Sequence, residues 1–241
     1  MPREHATSDA AARSFAIAGG LIFVCALVYT AWSYARTFGL PMSGPASSVR
    51  PASFDILLFT GFALHHSVFA RSGAREWIAA RVSRQLERSV YVWVASLLLM
   101  AVVAAWQPVP GELWRVTGLP AVAFTAVQVV GLLVTLRASA ALDVLSLAGL
   151  RQVFGATEFA PAHLVDSGLY GMVRHPVYFG WVLMVWPTSV MTGTRFVFAA
   201  VSTIYLALAI RFEERSLRQQ FGTAYLRYAR RVKWRMVPGI Y

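Results

Sequence analysis

Six apolar stretches determine most of what this chain can fold into. Five of them contain no Asp, Glu, Lys or Arg, and the sixth carries only Asp55 and a pair of histidines. A helix needs about 20 residues to cross a bilayer, and it satisfies its own backbone polar groups there. We therefore predict an all-α, polytopic membrane protein with six transmembrane helices. The predicted spans are Ser14–Ala35, Ala52–Ala70, Ser89–Gly111, Val116–Leu136, Pro176–Thr194 and Phe196–Ile210.

The distribution of basic residues predicts the orientation of these helices. With a cytoplasmic N-terminus, residues 1–13, 71–88, 137–175 and 211–241 face the cytoplasm and hold 18 of the 22 Lys and Arg residues. Cytoplasmic loops of membrane proteins carry such an excess. The pattern predicts an integral protein of a bacterial-type inner (plasma) membrane with both termini in the cytoplasm. It also explains the formal net charge of +11 without a nucleic-acid partner.

The segments outside the spans indicate one membrane domain, residues 1–241. Residues 1–13 are polar and rich in alanine, which is typical of a flexible tail. The arginine-rich residues 71–88 predict a short amphipathic segment on the membrane surface. The long connection over 137–175 has enough apolar residues to be ordered over the cytoplasmic mouth. Beyond the last span, apolar residues three or four apart predict an amphipathic helix over 213–229. Those residues are Leu217, Phe221, Tyr225 and Tyr228.

A cluster of ionisable residues is predicted where the last two spans meet the cytoplasm. Arg174, His175 and Pro176 open the fifth span, and Glu213 and Glu214 follow the sixth. The two motifs are about 39 residues apart, which matches two bilayer crossings, so the hairpin returns the glutamates to the level of the arginine. Ionisable groups at membrane depth are costly and usually functional.

The residue types in this cluster suit a polar cofactor with an amino-acid tail. The Arg174 guanidinium can bind a carboxylate through two hydrogen bonds, and Glu213 or Glu214 can pair with an amino group. Aromatic rings can stack on a base or face a cationic sulfonium. The tyrosines available for this are Tyr178, Tyr225 and Tyr228. The alternative interpretation is a structural ion pair at a helix end.

Taken together, the motifs resemble the isoprenylcysteine carboxyl methyltransferase superfamily of integral membrane methyltransferases. The matching pattern is RHPxYxG from Arg174, the EE pair, FGxxYxxY from Phe221, and VP at Val237. The resemblance implies S-adenosylmethionine as the methyl donor, a cofactor-binding module at residues 174–241, and catalytic roles for Arg174 and Glu214. The residues implied to line the cofactor pocket are Arg174, His175, Pro176, Tyr178, Gly180, Glu213, Glu214, Tyr225 and Tyr228.

Three further segments resemble the methanethiol S-methyltransferase branch of that superfamily, which is related to the NnrU group. They are residues 62–71, 87–92 and 149–153, with His65 where that branch usually has glutamine. This resemblance implies S-methylation of a small thiol, such as methanethiol to dimethyl sulfide. One alternative is methylation of a lipid, a prenylated-cysteine carboxylate or a phospholipid amine. Another is a non-enzymatic NnrU-like accessory or transport protein.

Thiol methylation needs a thiolate, and this requirement suggests two further catalytic residues. Nearby cations lower the pKa of a thiol, so Arg151 or Arg174 can favour the thiolate. A neutral His66 can accept the proton, and the alternative is that His66 packs the helix bundle.

The histidines have no metal-ligand spacing, so we predict no metal. The expected partners are the small-molecule acceptor and membrane lipids, with no obligatory protein partner.

Overall fold

The part of the protein that the structure describes is mostly α-helical, as predicted. The computed structural model describes residues 2–42, 48–69, 72–82, 85–142, 144–151, 153–154 and 163–241. The predicted span end at Ala70 and residues 155–162 of the long connection lie outside the described residues. The helices are α1 (Pro2–Ala35), α2 (Val49–Phe69), α3 (Ser72–Ala79), α4 (Glu87–Ala105), α5 (Leu119–Ala140), α6 (Val144–Leu147), α7 (Pro176–Val185) and α8 (Gly193–Arg231). A 3₁₀ turn covers Gly168–Gly171, and strands β1 (Glu112–Arg115) and β2 (Val190–Thr192) pair antiparallel.

Five helices within the described residues are long and apolar enough to cross a membrane. They are Ala10–Ala35 of α1, together with α2, α4, α5 and α8. Each of the five contains or overlaps one of the predicted spans. This agreement confirms the prediction of a polytopic, all-α membrane protein.

The fifth predicted span, Pro176–Thr194, needs correction because helix α7 ends at Val185. Ten residues extend only about 15 Å, which is half of a bilayer's hydrocarbon core of about 30 Å. Pro187 has no N–H to donate to the helix, and in a helix its ring would clash with the carbonyl group four residues earlier. The chain then forms β2, whose Thr192 lies opposite Glu112 of β1. The predicted span is therefore a half-length helix followed by a small sheet.

The predicted sixth span and the predicted amphipathic helix form one element, α8. It runs from Gly193 to Arg231 and places Glu213 and Glu214 in its middle. Inside it, Gly222 departs from helical geometry with φ 52° and ψ −125°. This left-handed backbone costs glycine little because glycine has no Cβ. The kink sets a new direction for the last two turns, which carry Tyr225.

The described residues divide into two compact units, and the first holds α1, α3, α4, α6 and the later part of α2. In this unit α1 packs on α4. The Trp93 indole N–H donates to the Phe15 carbonyl oxygen over 3.0 Å, and the two rings stack with centroids 5.6 Å apart. Helix α3 buries Ile78 and exposes Trp77, as expected for an amphipathic helix.

The second unit holds β1, α5, α7, β2 and α8, with α5 and α7 in close contact. A Cβ atom on Gly180 would lie 2.7 Å from the Gly131 carbonyl oxygen and would also clash with Thr135. The Gln128 amide donates to the Met184 carbonyl oxygen over 2.7 Å. The packing of α5 against α7 holds α7 in place, and with it the segment that precedes Pro176.

Candidate functional site

The segment that opens α7 is held by the C-terminal part of the chain. The Arg174 amide donates to the Trp234 carbonyl oxygen over 3.0 Å, and the His175 amide donates to the Arg235 carbonyl oxygen over 2.8 Å. Pro176 occupies the first turn of α7, where its missing N–H leaves no helical bond unmade. The two side chains before the proline are therefore fixed relative to α8 and the segment that follows it.

Arg174 and Glu214 form a buried ion pair at the centre of the site. The Arg174 Nε and Glu214 Oε1 atoms are 2.7 Å apart, and the side chains are only 8% and 3% exposed. The Nη1 atom of Arg174 also donates to the carbonyl oxygens of Ala229, Val232 and Lys233, at 3.2, 2.8 and 3.3 Å. Helix ends leave such carbonyls without intrahelical partners. Arg174 therefore joins the middle of α8 to its C-terminal end.

Glu213 points into a different environment from its neighbour. Its Oε2 atom accepts a hydrogen bond from the Tyr178 hydroxyl over 2.9 Å and lies 3.3 Å from His175 Nδ1. The Glu213 side chain is 45% exposed, against 3% for Glu214. The pair thus offers one buried carboxylate, fixed by Arg174, and one carboxylate that remains accessible.

His175 lies between the two glutamates and stacks on the Tyr178 ring, with centroids 5.5 Å apart. Its Nε2 atom is 3.6 Å from Glu214 Oε1, too far for a hydrogen bond. Burial lowers the pKa of His175, but the contact with Glu213 and the negative charges of Glu213 and Glu214 outweigh burial and raise the pKa above its ordinary value. Because the pKa of His175 is raised in the folded protein, protonated His175 stabilises the fold at low pH. This stabilisation is lost as the pH rises through the raised pKa.

A cavity of about 580 Å³ opens beside the buried carboxylate. Its lining residues are Arg211, Glu214, Arg215, Arg218 and Arg235. Arg218 Nη2 and Arg235 Nε each lie 3.5 Å from Glu214 Oε2. Ligand pockets typically range over about 300–1,000 Å³, so this cavity is large enough for a ligand of nucleoside size.

Two of the predicted cofactor-binding tyrosines lie buried beneath this site. Tyr225 and Tyr228 meet edge to face with centroids 5.8 Å apart, and they form a core cluster with Val232. The Tyr228 hydroxyl donates to the Tyr170 carbonyl oxygen over 2.8 Å. The Tyr225 hydroxyl lies beside the Glu214 carboxylate but makes no hydrogen bond of ordinary geometry with the described residues. Tyr178 is the tyrosine of the three that contacts Glu213 directly.

Gly180 and Pro176, also predicted to line the cofactor pocket, have evident packing roles. Both are buried, Gly180 against α5 and Pro176 in the first turn of α7.

Tyr170 lies in the 3₁₀ turn Gly168–Gly171, shortly before Arg174. Burial and then the charge of Glu213 raise the pKa of Tyr170 to about 12, so its hydroxyl stays neutral at physiological pH.

The remaining two predicted catalytic residues, His66 and Arg151, belong to the first unit. The Tyr91 hydroxyl lies 3.0 Å from His66 Nδ1. The Arg88 guanidinium lies 5.0 Å from the centroid of the Tyr91 ring. Arg151 follows α6, and its amide donates to the Leu145 carbonyl oxygen over 3.3 Å.

Sequence reasoning did not select the arginines that line the cavity. Arg211, Arg215 and Arg218 are spaced by four and three residues, which places them on one face of α8. That spacing is a signal in the sequence. Arg235, in contrast, joins them only through the fold of the last segment.

Within the part of the chain that the structure describes, no group of three His, Cys, Asp or Glu residues can hold a metal ion.

Comparison with known proteins finds similarity along most of the chain. Residues 117–224 match the phospholipid methyltransferase family. Methanethiol S-methyltransferase 2 of Bradyrhizobium diazoefficiens is 32% identical over 234 residues, which cover 94% of this chain and 90% of the relative. Methanethiol S-methyltransferase of Crocosphaera subtropica is 36% identical over 190 residues, covering 77% and 74%. Nurim of Bos taurus is 28% identical over 188 residues, covering 70% and 68%. No solved structure matches.

Proposed function

We propose that this chain, which belongs to the methanethiol S-methyltransferase family of integral membrane methyltransferases, methylates a small thiol with S-adenosylmethionine as the donor. The observation that carries the proposal is the similarity to relatives of that name, at 32% and 36% identity over most of the chain. For methanethiol as the acceptor, the product is dimethyl sulfide. The proposed domain is the whole chain, with residues 174–241 as the cofactor-binding module.

The chemistry of the site fits the proposed methyl donor. S-adenosylmethionine carries a carboxylate, an amine, a sulfonium and a purine. The arginines of the cavity suit the carboxylate, and the exposed Glu213 carboxylate suits a cationic group. The stacked rings of His175 and Tyr178 offer an aromatic surface. When bound, the donor supplies an electrophilic methyl group.

In this proposal Arg174 acts by holding Glu214 rather than by gripping the cofactor carboxylate. Three of its hydrogen bonds go to backbone carbonyl oxygens and one goes to Glu214. The guanidinium is thus engaged and buried before any ligand arrives. The open arginines, Arg218 and Arg235, are better placed to meet a ligand carboxylate in the cavity.

The chain's task at the acceptor is to make and position a thiolate. In this proposal His66 accepts the proton of the thiol S–H bond, and the thiolate that results would take the methyl group that a bound donor supplies. The cation of Arg151 favours the thiolate. The Tyr91 hydroxyl, 3.0 Å from His66 Nδ1, orients the imidazole for this role. Positioning of this kind lowers a barrier by about 7–11 kcal/mol in favourable cases.

We expect purified protein to convert methanethiol and S-adenosylmethionine to dimethyl sulfide, measured as headspace sulfide. The same preparation should be offered a prenylated cysteine and phosphatidylethanolamine with a labelled methyl donor. Sulfide from methanethiol, with no label in either lipid acceptor, is the expected result. Label in the lipid acceptors and no sulfide from any small thiol would overturn the thiol proposal.

The match of residues 117–224 to the phospholipid methyltransferase family favours a phospholipid amine as the second candidate acceptor. A lipid-soluble prenylated-cysteine carboxylate is the further enzymatic alternative. The similarity to nurim is lower, at 28% identity. A measurement of direct S-adenosylmethionine binding would distinguish an enzyme from an NnrU-like accessory or transport protein. A protein that binds no donor in any lipid or detergent would support the accessory role.

We also propose that the protein lies in a bacterial-type inner membrane with both termini in the cytoplasm. The basis is the excess of Lys and Arg in four of the segments outside the spans. A reporter fused after Tyr241 should therefore be cytoplasmic, and one inserted at Ser47, outside the described residues, should be external. A cytoplasmic signal at Ser47 would contradict this orientation.

A further inference from the structure

The cavity beside Glu214 carries more positive charge than the protein itself balances. Four arginines and one glutamate line it, and Glu214 already has its closest ion pair with the buried Arg174. Arg211 and Arg215 form no ion pair with any residue that the structure describes. Grouped cations of this kind repel one another unless an anion binds between them.

The position of these arginines on α8 matches the level of lipid headgroups. The uncharged segment 196–210 ends directly before Arg211, so the arginines follow the apolar part of a candidate membrane span. Apolar side chains nearby in the sequence remain accessible. Phe212 is 56% exposed and Trp234 is 41% exposed. Aromatic residues of this kind are typical of the membrane–water interface.

From this geometry we infer that Arg211 and Arg215 of the arginine cavity bind the phosphate of an anionic phospholipid headgroup, as a site additional to those of the methyl donor and the methyl acceptor. Guanidinium groups bind phosphate through paired, charge-assisted hydrogen bonds. Arg211 and Arg215 supply these donors. Arg218 and Arg235, which lie beside Glu214, remain for the carboxylate of the methyl donor. The bound lipid would hold the middle of α8 at the membrane surface. The inference does not depend on which acceptor is methylated.

The test is a titration of phosphatidylglycerol into the purified full-length protein in a neutral detergent, with thermal unfolding as the readout. Phosphatidylglycerol has no amine, so it cannot serve as a nitrogen acceptor for the methyl group. We expect it to raise the unfolding temperature of the wild-type protein. In the double variant Arg211→Gln/Arg215→Gln, the lipid concentration needed for half of that rise should increase about 25-fold, or about fivefold for each arginine.

The matched control is Arg227→Gln/Arg230→Gln, which removes the same charge from exposed positions of α8 outside the cavity. It should shift the titration much less than the cavity variant does. Equal shifts in the two variants would overturn the site and leave only general surface attraction. Inorganic phosphate giving the same protection as the lipid would overturn the lipid assignment. If the double variant does not fold, Arg215→Lys, which keeps the charge but loses the planar group, should still weaken the lipid response.

Discussion

Replacing Arg174 by alanine should lower the free energy of unfolding by about 3–5 kcal/mol, because it leaves the Glu214 carboxylate buried without its closest cation. The Arg174 Nε and Glu214 Oε1 atoms are 2.7 Å apart and both side chains are at most 8% exposed, so the variant loses a short and largely desolvated ion pair. The carbonyl oxygens of Val232 and Ala229 lose a donor as well. Chemical unfolding in detergent measures the stability. Calorimetric titration with S-adenosylmethionine should show binding weakened at least tenfold.

The double variant Arg174→Ala/Glu214→Gln separates folding from ligand binding. Removing both charges should restore part of the stability, because no unpaired carboxylate remains. It should not restore S-adenosylmethionine binding or methyl transfer if the buried carboxylate belongs to the cofactor site. Glu213→Gln serves as the control for stability, since that carboxylate is 45% exposed. A stable Arg174→Ala protein with wild-type turnover would rule out the proposed role of the pair.

The convergence of the two motifs could be anticipated from the sequence because it depends only on length. Two bilayer crossings return the chain to its starting level, and the structure places Arg174 and Glu214 in contact. The partners of Arg174 on the C-terminal segment could not be anticipated in the same way. They depend on the kink at Gly222 and on the backbone pairing of residues 174–175 with 234–235.

Spacing could not separate the residues that face a ligand from those that pack the fold. The contact of Tyr225 and Tyr228 with the cofactor stays a prediction, because three-residue spacing gives a common helix face and not its surroundings. In the structure they pack against each other and Val232. Arg218, four residues beyond Glu214, lines the cavity but stands outside the recognised motifs. The end of α7 was missed because hydropathy alone does not register the effect of Pro187 on a helix.

His66→Ala should slow methyl transfer to a small thiol by about 100-fold, the lower end of what a general base contributes. The Tyr91 hydroxyl lies 3.0 Å from His66 Nδ1 and restricts the orientation of the imidazole ring. The deficit should be largest at neutral pH, where most of the thiol is protonated. It should shrink as the pH rises, because a thiolate already formed in solution needs no base. Initial rates of sulfide formation across this pH range measure the effect.

His65→Ala is the matched control, because adjacent residues on a helix point about 100° apart. His65 stacks on Phe69 with ring centroids 4.5 Å apart, so its loss should affect packing rather than the rate. Tyr91→Phe should give an intermediate rate, since it keeps the base but removes the hydroxyl that orients it. S-adenosylmethionine affinity should stay near the wild-type value in all three variants. A proton acceptor and the hydroxyl that orients it act in the transition state, and His65 contributes only to packing. A rate deficit in His66→Ala that is independent of pH, or equal to that of His65→Ala, would assign His66 to packing alone.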